Sequence, residues 1–205
     1  MVNKFDKDDL QEAVRVMRAG GIILYPTDTV WGIGCDATNP EAVARIYALK
    51  RREDSKSMLV LMDGAGRLQG YLNEVPEMAW ALLDANHPDQ DERPENSDSV
   101  RPLTIIYPGA KNLAPNLVAE DGSIGIRITE EPFSRMLCQQ MRGPIVSTSA
   151  NISGEATAKN YGEISEEIRR GVDYICRFRR GDTTPQKPSQ IIKLNPDGTF
   201  TIIRK

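Results

Sequence analysis

Gly21-Ile22-Ile23-Leu24-Tyr25-Pro26-Thr27-Asp28-Thr29-Val30-Trp31-Gly32-Ile33-Gly34-Cys35-Asp36-Ala37 is the stretch on which the reading of the chain turns. The apolar run at 22–25 has the length of a buried strand. Pro26 has no N–H to give a sheet ladder, so the strand should stop there. Hydroxyls, a carboxylate and two glycines follow, which makes residues 25–37 a polar exit from a strand. In open α/β sheets, ligands collect beyond the carboxyl ends of strands, so this exit is a candidate site. Ordinary turn chemistry would use the same residues.

Working outward, Leu10, Ala13, Val14 and Met17 repeat at helical spacing, starting near Asp6 and stopping at Gly20-Gly21. Thr38-Asn39-Pro40-Glu41 is a helix start, with Val43, Ile46 and Tyr47 on its buried side. The apolar run at 57–62 suits a strand covered on both faces. A helix is expected near 76–83, strands at 103–107 and 124–128, a helix from Pro132, and a strand at 144–148. That strand leads into a second polar exit, Ser149-Ala150-Asn151-Ile152-Ser153-Gly154. A helix near 162–170 and a strand at 172–175 come next. Two strand-like runs flanking Asn195-Pro196-Asp197-Gly198 then form a hairpin. The almost wholly polar stretch 85–101 reads as a long surface loop or a lid. Strands alternate with helices, so residues 1–205 are expected to form one mixed α/β domain.

Composition narrows the function. The chain has 205 residues, 40% of them hydrophobic and 27% charged, with a net charge of −3. That balance argues against a general nucleic-acid coat but leaves room for a local basic pocket. No apolar run approaches the ~20 residues that span a bilayer, and residues 1–9 lack a secretory core. A cytoplasmic protein without membrane attachment is the expectation. Cys35, Cys138 and Cys176 lie far apart, and His87 is the only histidine. Reduced thiols are therefore expected, with no dedicated metal ligands and no histidine triad.

Three features remain for chemistry. Lys50, Arg51, Arg52 and Lys56 could neutralise a polyphosphate, or could simply be a solvated helix end. The hydroxyls and amide of residues 147–154 could surround an anion, or could be a capped turn. The third is the opening stretch. Neither GxxxxGK[ST] nor GxGxxG occurs, so a nucleotide would be held by other means.

Together these motifs resemble a known family. Tyr-Pro-Thr-Asp-Thr-Val-Trp-Gly-Ile-Gly-Cys-Asp-Ala at 25–37 is followed by Lys50-Arg51-Arg52 with Lys56, and by Pro-Leu-Thr at 102–104. Ile-Gly-Ile-Arg-Ile at 124–128, Ser-Thr-Ser-Ala-Asn-Ile-Ser-Gly at 147–154, Pro-Ser-Gln-Ile-Ile at 188–192 and Ile-Ile-Arg at 202–204 complete the set. In this order and spacing they are similar to the YrdC/Sua5/YciO family.

The resemblance implies a twisted sheet of parallel and antiparallel strands with helices on both sides, built around a positively charged concave cavity. It implies synthesis of L-threonylcarbamoyladenylate from L-threonine, bicarbonate and ATP with Mg²⁺, releasing pyrophosphate. The product would pass to a separate tRNA-modifying transferase complex for N6-threonylcarbamoyladenosine at position 37, and RNA binding is a further implied property. Lys50, Arg52, Ser149 and Asn151 occupy the catalytic signature. Arg52, Lys56, Ser147, Ser149 and Arg204 fall at ATP positions, and Thr27, Thr104 and Ser189 at L-threonine positions. Glu53, Ser57, Gln190 and Lys193 depart from the usual pattern, and the departures at Glu53 and Ser57 are of the kind seen in the YciO-like branch. The alternative reading is such a paralogue, binding nucleotide or RNA in the same cavity without efficient synthesis.

Overall fold

The computed structural model describes residues 5–52, 58–86, 101–184 and 188–205. Strand β1 (Ile23–Tyr25) stops at Pro26, and its neighbours in sequence alternate between two cores. Ile22 and Leu24 pack into one, Ile23 and Tyr25 into the other. That alternation puts β1 between two covered faces.

The chain then doubles back. Strand β2 (Gly32–Gly34) pairs antiparallel with β1, Leu24 opposite Ile33. Residues 32–34, expected from the sequence as part of a loop, are thus a strand in the middle of the sheet. Gly34 is required by its neighbours. A Cβ on Gly34 would sit within a forbidden distance of the Val146 carbonyl oxygen and 2.7 Å from Tyr25 Cε1. Gly34→Ala should therefore cost about 1–3 kcal/mol of stability, as overpacking does. A lowered urea midpoint with an unchanged slope would show it.

Helix α1 (Lys7–Arg18) is capped by Asp6, and helix α2 (Pro40–Lys50) by Asn39, whose side chain accepts from the Glu41 and Ala42 N–H groups. Proline opens α2 and also helix α5 (Pro132–Met141), where its missing N–H costs nothing. Short helices α3 (Leu68–Tyr71), α4 (Glu77–Asn86) and α6 (Glu166–Gly171) complete the set. The remaining strands are β3 (Leu59–Met62), β4 (Leu103–Tyr107), β5 (Ile124–Ile128), β6 (Ile145–Ser149), β7 (Tyr174–Ile175), β8 (Gln190–Leu194) and β9 (Phe200–Arg204). Residues 85 and 86, expected in a loop, continue α4, and most of the polar stretch (87–100) lies outside the described residues.

The nine strands of the described residues form one sheet in the order β7-β1-β2-β6-β3-β5-β4-β8-β9. β1/β7, β3/β5 and β4/β8 are parallel, and the other pairs are antiparallel. The mixed sheet expected from the resemblance is therefore present. Among the described residues no helix is long and apolar enough to cross a membrane.

The two faces differ in how they are covered. One carries a continuous core with α2, α4 and α6, including Val43, Ile46, Leu83, Ile105, Ile126, Val146 and Ile168. The other is covered by α1 and α5 only over part of its width, through Leu10, Met17, Leu61, Phe133, Leu137 and Ile145. Each such side chain contributes about 1.5–3 kcal/mol when fully buried, so α1 and α5 are held firmly. A buried carboxylate adds a tie between α1 and the sheet edge: Asp9 accepts from Tyr174 Oη at 2.7 Å and from the Arg177 and Phe178 N–H groups. The rest of that face is not covered by a helix, and the candidate site lies there.

Candidate active-site cavity

Strand periodicity builds the cavity. Alternate residues of successive strands point to the open face: Ser147 and Ser149 on β6, Gly125 and Arg127 on β5, Thr104 and Ile106 on β4, Ile191 and Lys193 on β8. The intervening Ile126, Ile105 and Ile192, with Val146 before Ser147, pack into the core beneath. The registers align Ser147, Leu59, Gly125, Ile106 and Lys193 into one row across the floor. A side chain at Gly125 would rise between Leu59 and Thr104, 3.3 Å from Leu59 Cβ. The walls come from Thr27, Thr29, Val30 and Trp31 and from residues 157–163, and the volume is about 1260 Å³.

Among the described residues five cationic side chains line it (Arg52, Arg127, Lys159, Lys193, Arg204) against three carboxylates (Glu120, Asp121, Glu163). Lys193 is held by Asp121 at 2.8 Å, and the pair keeps the Asp121 carboxyl down to about 2.

Of the expected threonine-side residues, Thr27, Thr104 and Ser189 all line the cavity. Thr27 Oγ1 donates to the Val30 carbonyl at 2.7 Å and accepts from the Thr29 N–H at 3.1 Å. It also lies 3.2 Å from Thr29 Oγ1, so the hydroxyl is held within the loop. Thr104 Oγ1 donates to Ser189 Oγ at 3.2 Å. Ser189 in turn accepts from Arg204 Nη2 at 2.9 Å, and its carbonyl accepts from Arg204 Nε at 2.8 Å.

Arg127 is the residue that sequence reasoning passed over. It is 4% exposed, yet it lines the cavity. Its Nε donates to Thr104 Oγ1 at 3.1 Å and its Nη1 approaches Thr29 Oγ1 at 3.4 Å. Among the described residues no carboxylate forms an ion pair with it. Burial pulls its pKa down, with Asp28 acting in the opposite direction. A buried guanidinium supported by hydroxyls alone is costly, and an anionic ligand group would relieve that cost. The signal was present as the polar member of Gly125-Ile126-Arg127, on the same face as Gly125.

The three consecutive cations go three ways. Arg51, in the left-handed conformation (φ 49°), ends α2 and pairs with Glu167 on the surface at 2.7 Å. Arg52 turns into the cavity, where burial lowers its pKa. Lys50 does not line the cavity. It is 1% exposed, and its ammonium donates to the Ser149 carbonyl and, at 2.6 Å, to the Asn151 carbonyl. Desolvation, with Arg52 nearby, lowers its pKa to about 8. Lys50, expected in the catalytic signature, thus braces the Ser149–Asn151 turn from behind and stands outside the cavity lining. Asn151 also stands outside the lining. Its Nδ2 donates to the Ile152 carbonyl at 2.9 Å and the Glu155 carbonyl at 3.0 Å. Ser147, Ser149 and Arg204 line the cavity, and Lys56 lies outside the described residues.

No group of three or more His, Cys, Asp or Glu among the described residues is placed to hold a metal ion. The three cysteines are free and buried, and burial pushes their thiols up.

The Sua5/YciO/YrdC family model, described as "Telomere recombination", matches residues 15–205. The chain belongs to the Sua5/YciO/YrdC family. A threonylcarbamoyl-AMP synthase of Photobacterium profundum is 31% identical over 184 residues, 90% of this chain and 93% of the relative. Among solved structures, E. coli YciO is 27% identical with a TM-score of 0.78, covering 98% of this chain and 90% of that one. The P. abyssi Sua5 structure complexed with L-threonine shares the fold, at 21% identity and a TM-score of 0.77 over 94% of this chain. This family member spans about half (52%) of that longer protein.

Proposed function

We propose that the chain synthesises L-threonylcarbamoyladenylate from L-threonine, bicarbonate and ATP, with release of pyrophosphate. The observation that carries this reading is the joining, in one cavity, of two differently equipped halves. Arg127, Thr104 and Ser189 offer a guanidinium and hydroxyls joined in one hydrogen-bonded row, of the kind that can take an amino acid's polar groups. Arg52 and the Ser147–Ser149 strand end offer a cation and hydroxyls suited to phosphates. The P. profundum relative is named for this product and the P. abyssi neighbour for L-threonine.

On this reading Arg127 holds the threonine carboxylate, and Thr27, Thr104 and Ser189 orient its remaining polar groups. Hydroxyl-reading sites reject analogues that leave their buried groups unpaired. The threonine amine and CO₂ form a carbamate. One carbamate oxygen attacks the α-phosphorus, a P–O bond forms, and the bond to pyrophosphate breaks. Like charges must approach each other in that step. Arg52, Lys56, Ser147, Ser149 and Arg204 are assigned to the nucleotide, where fixed cations and hydroxyls offset the repulsion. Mg²⁺ enters as part of the ATP substrate. Lys50 and Asn151 shape the turn that carries Ser149. The adenylate would then pass to a tRNA-modifying transferase complex, and residues 1–205 act as one domain.

The second reading, a cavity that binds nucleotide or RNA without efficient synthesis, draws on Lys193, which lines the cavity where the family resemblance leads one to expect an aspartate. Threonine-dependent pyrophosphate release from ATP and bicarbonate separates the two: binding without release supports the second.

A further inference from the structure

We propose that Asp28 is a positioning residue for the amino-acid half of the cavity, a carboxylate that fixes the Thr27–Thr29 wall against the segment following Arg127. The inference rests on the synthase reading for its substrate, though not for its geometry. Asp28 sits between two lining residues, Thr27 and Thr29, but does not line the cavity itself. Its Oδ2 accepts from Thr129 Oγ1 at 2.8 Å. Its Oδ1 accepts from the Glu130 N–H at 3.0 Å and the Glu131 N–H at 2.9 Å.

Sheet topology explains why such a tie is needed. The Thr27–Thr29 wall leaves β1 and the 129–131 segment leaves β5, and three strands, β2, β6 and β3, lie between them. No ladder bond can connect β1 to β5 across that distance. Asp28 makes the connection three times over, and Ser134 Oγ adds a fourth bond to the Pro26 carbonyl at 2.7 Å. Thr129, itself 1% exposed, is anchored by its N–H to the Met62 carbonyl at 2.9 Å. The separation of Thr29 from Arg127 is therefore set from behind the cavity. Carboxylate bonds to backbone N–H groups are among the stronger ones available. The negative charge also acts on Arg127 without pairing with it directly. An arginine stays protonated in proteins, and no carboxylate among the described residues forms an ion pair with it.

The test compares Asp28→Ala, Asp28→Asn and Thr129→Val with wild type. Asp28→Ala should raise KM for L-threonine by roughly 10–100-fold and leave KM for ATP within about twofold, the signature of lost binding geometry on one substrate. Asp28→Asn keeps an acceptor for both N–H groups and should recover most of the loss. Thr129→Val removes one bond and should cost a few-fold. Equal rises in both KM values, an unchanged KM for threonine, or an Asp28→Asn as impaired as Asp28→Ala would overturn the proposal. Amide hydrogen exchange gives a readout that needs no substrate. Residues 27–31 and 129–131 should lose protection together in Asp28→Ala, or in Thr129→Val if the first variant does not fold. Unchanged exchange overturns the tie. A wild type that shows no threonine-dependent turnover overturns the synthase reading instead.

Discussion

Arg127→Met is expected to abolish threonine-dependent synthesis while leaving the fold close to wild-type stability. The two effects have one cause. The guanidinium is buried, has hydroxyl partners only, and forms no ion pair among the described residues. Removing one partner of a buried charge pair costs about 2–5 kcal/mol. Loss of the carboxylate contact should therefore raise KM for L-threonine by roughly 30–1000-fold or more. The fold pays no such cost in the absence of ligand. Methionine fills similar space with flexible methylenes, and an unpaired buried charge is removed. A melting temperature within a few degrees of wild type together with lost activity supports the assignment. Unchanged threonine kinetics, or a variant that unfolds, contradicts it.

The adjacent cations should separate in the same way. Arg52→Ala is expected to reduce synthesis by about 10²–10³-fold, the scale of a lost charge-stabilising donor, with little change in stability, because Arg52 is on the cavity wall. Lys50→Met should lower stability as well as activity, since two carbonyls of the Ser149–Asn151 turn lose their donor. The pH dependence carries a distinct sign. Lys50 has a folded-state pKa of about 8 against an ordinary 10.5. Between those values the unfolded chain binds more protons, so this group makes stability rise with pH through that window and contributes its full burial penalty below it. The stability difference between wild type and Lys50→Met should shift in favour of wild type from pH 8 towards 10.5. Urea unfolding at several pH values measures it; a flat trend would mean an ammonium in solvent, and an opposite trend an ammonium whose carbonyl bonds outweigh its desolvation.

Much of this architecture was legible because burial writes a period into the sequence. Leu10, Ala13, Val14 and Met17 are all buried on α1, and Asn39-Pro40 starts α2 as its capping chemistry requires. The misses share a physical origin. Gly32-Ile33-Gly34 resembles a turn because glycine is rare in strands, and here it serves close packing against Tyr25 and Val146 that only the folded sheet reveals. Arg127 was masked by the apolar residues around it, although its two-residue spacing from Gly125 marks the cavity face. Lys50 falls on the stripe of Val43, Ile46 and Tyr47, at i+7 from Val43, which is a buried position. That spacing already argued against a solvated or cavity-facing ammonium. The ties made by Asp9 and Asp28 join segments far apart in sequence, and no local pattern announces them.

The central claim is that one cavity brings a threonine-derived carbamate to the α-phosphate of ATP. Its most direct measurement is pyrophosphate release by the full chain with ATP, Mg²⁺ and bicarbonate, with and without L-threonine, alongside the mass of the nucleotide product. The account predicts release that requires both L-threonine and bicarbonate and yields threonylcarbamoyladenylate. Release independent of threonine, or tight nucleotide binding with no release, would contradict it.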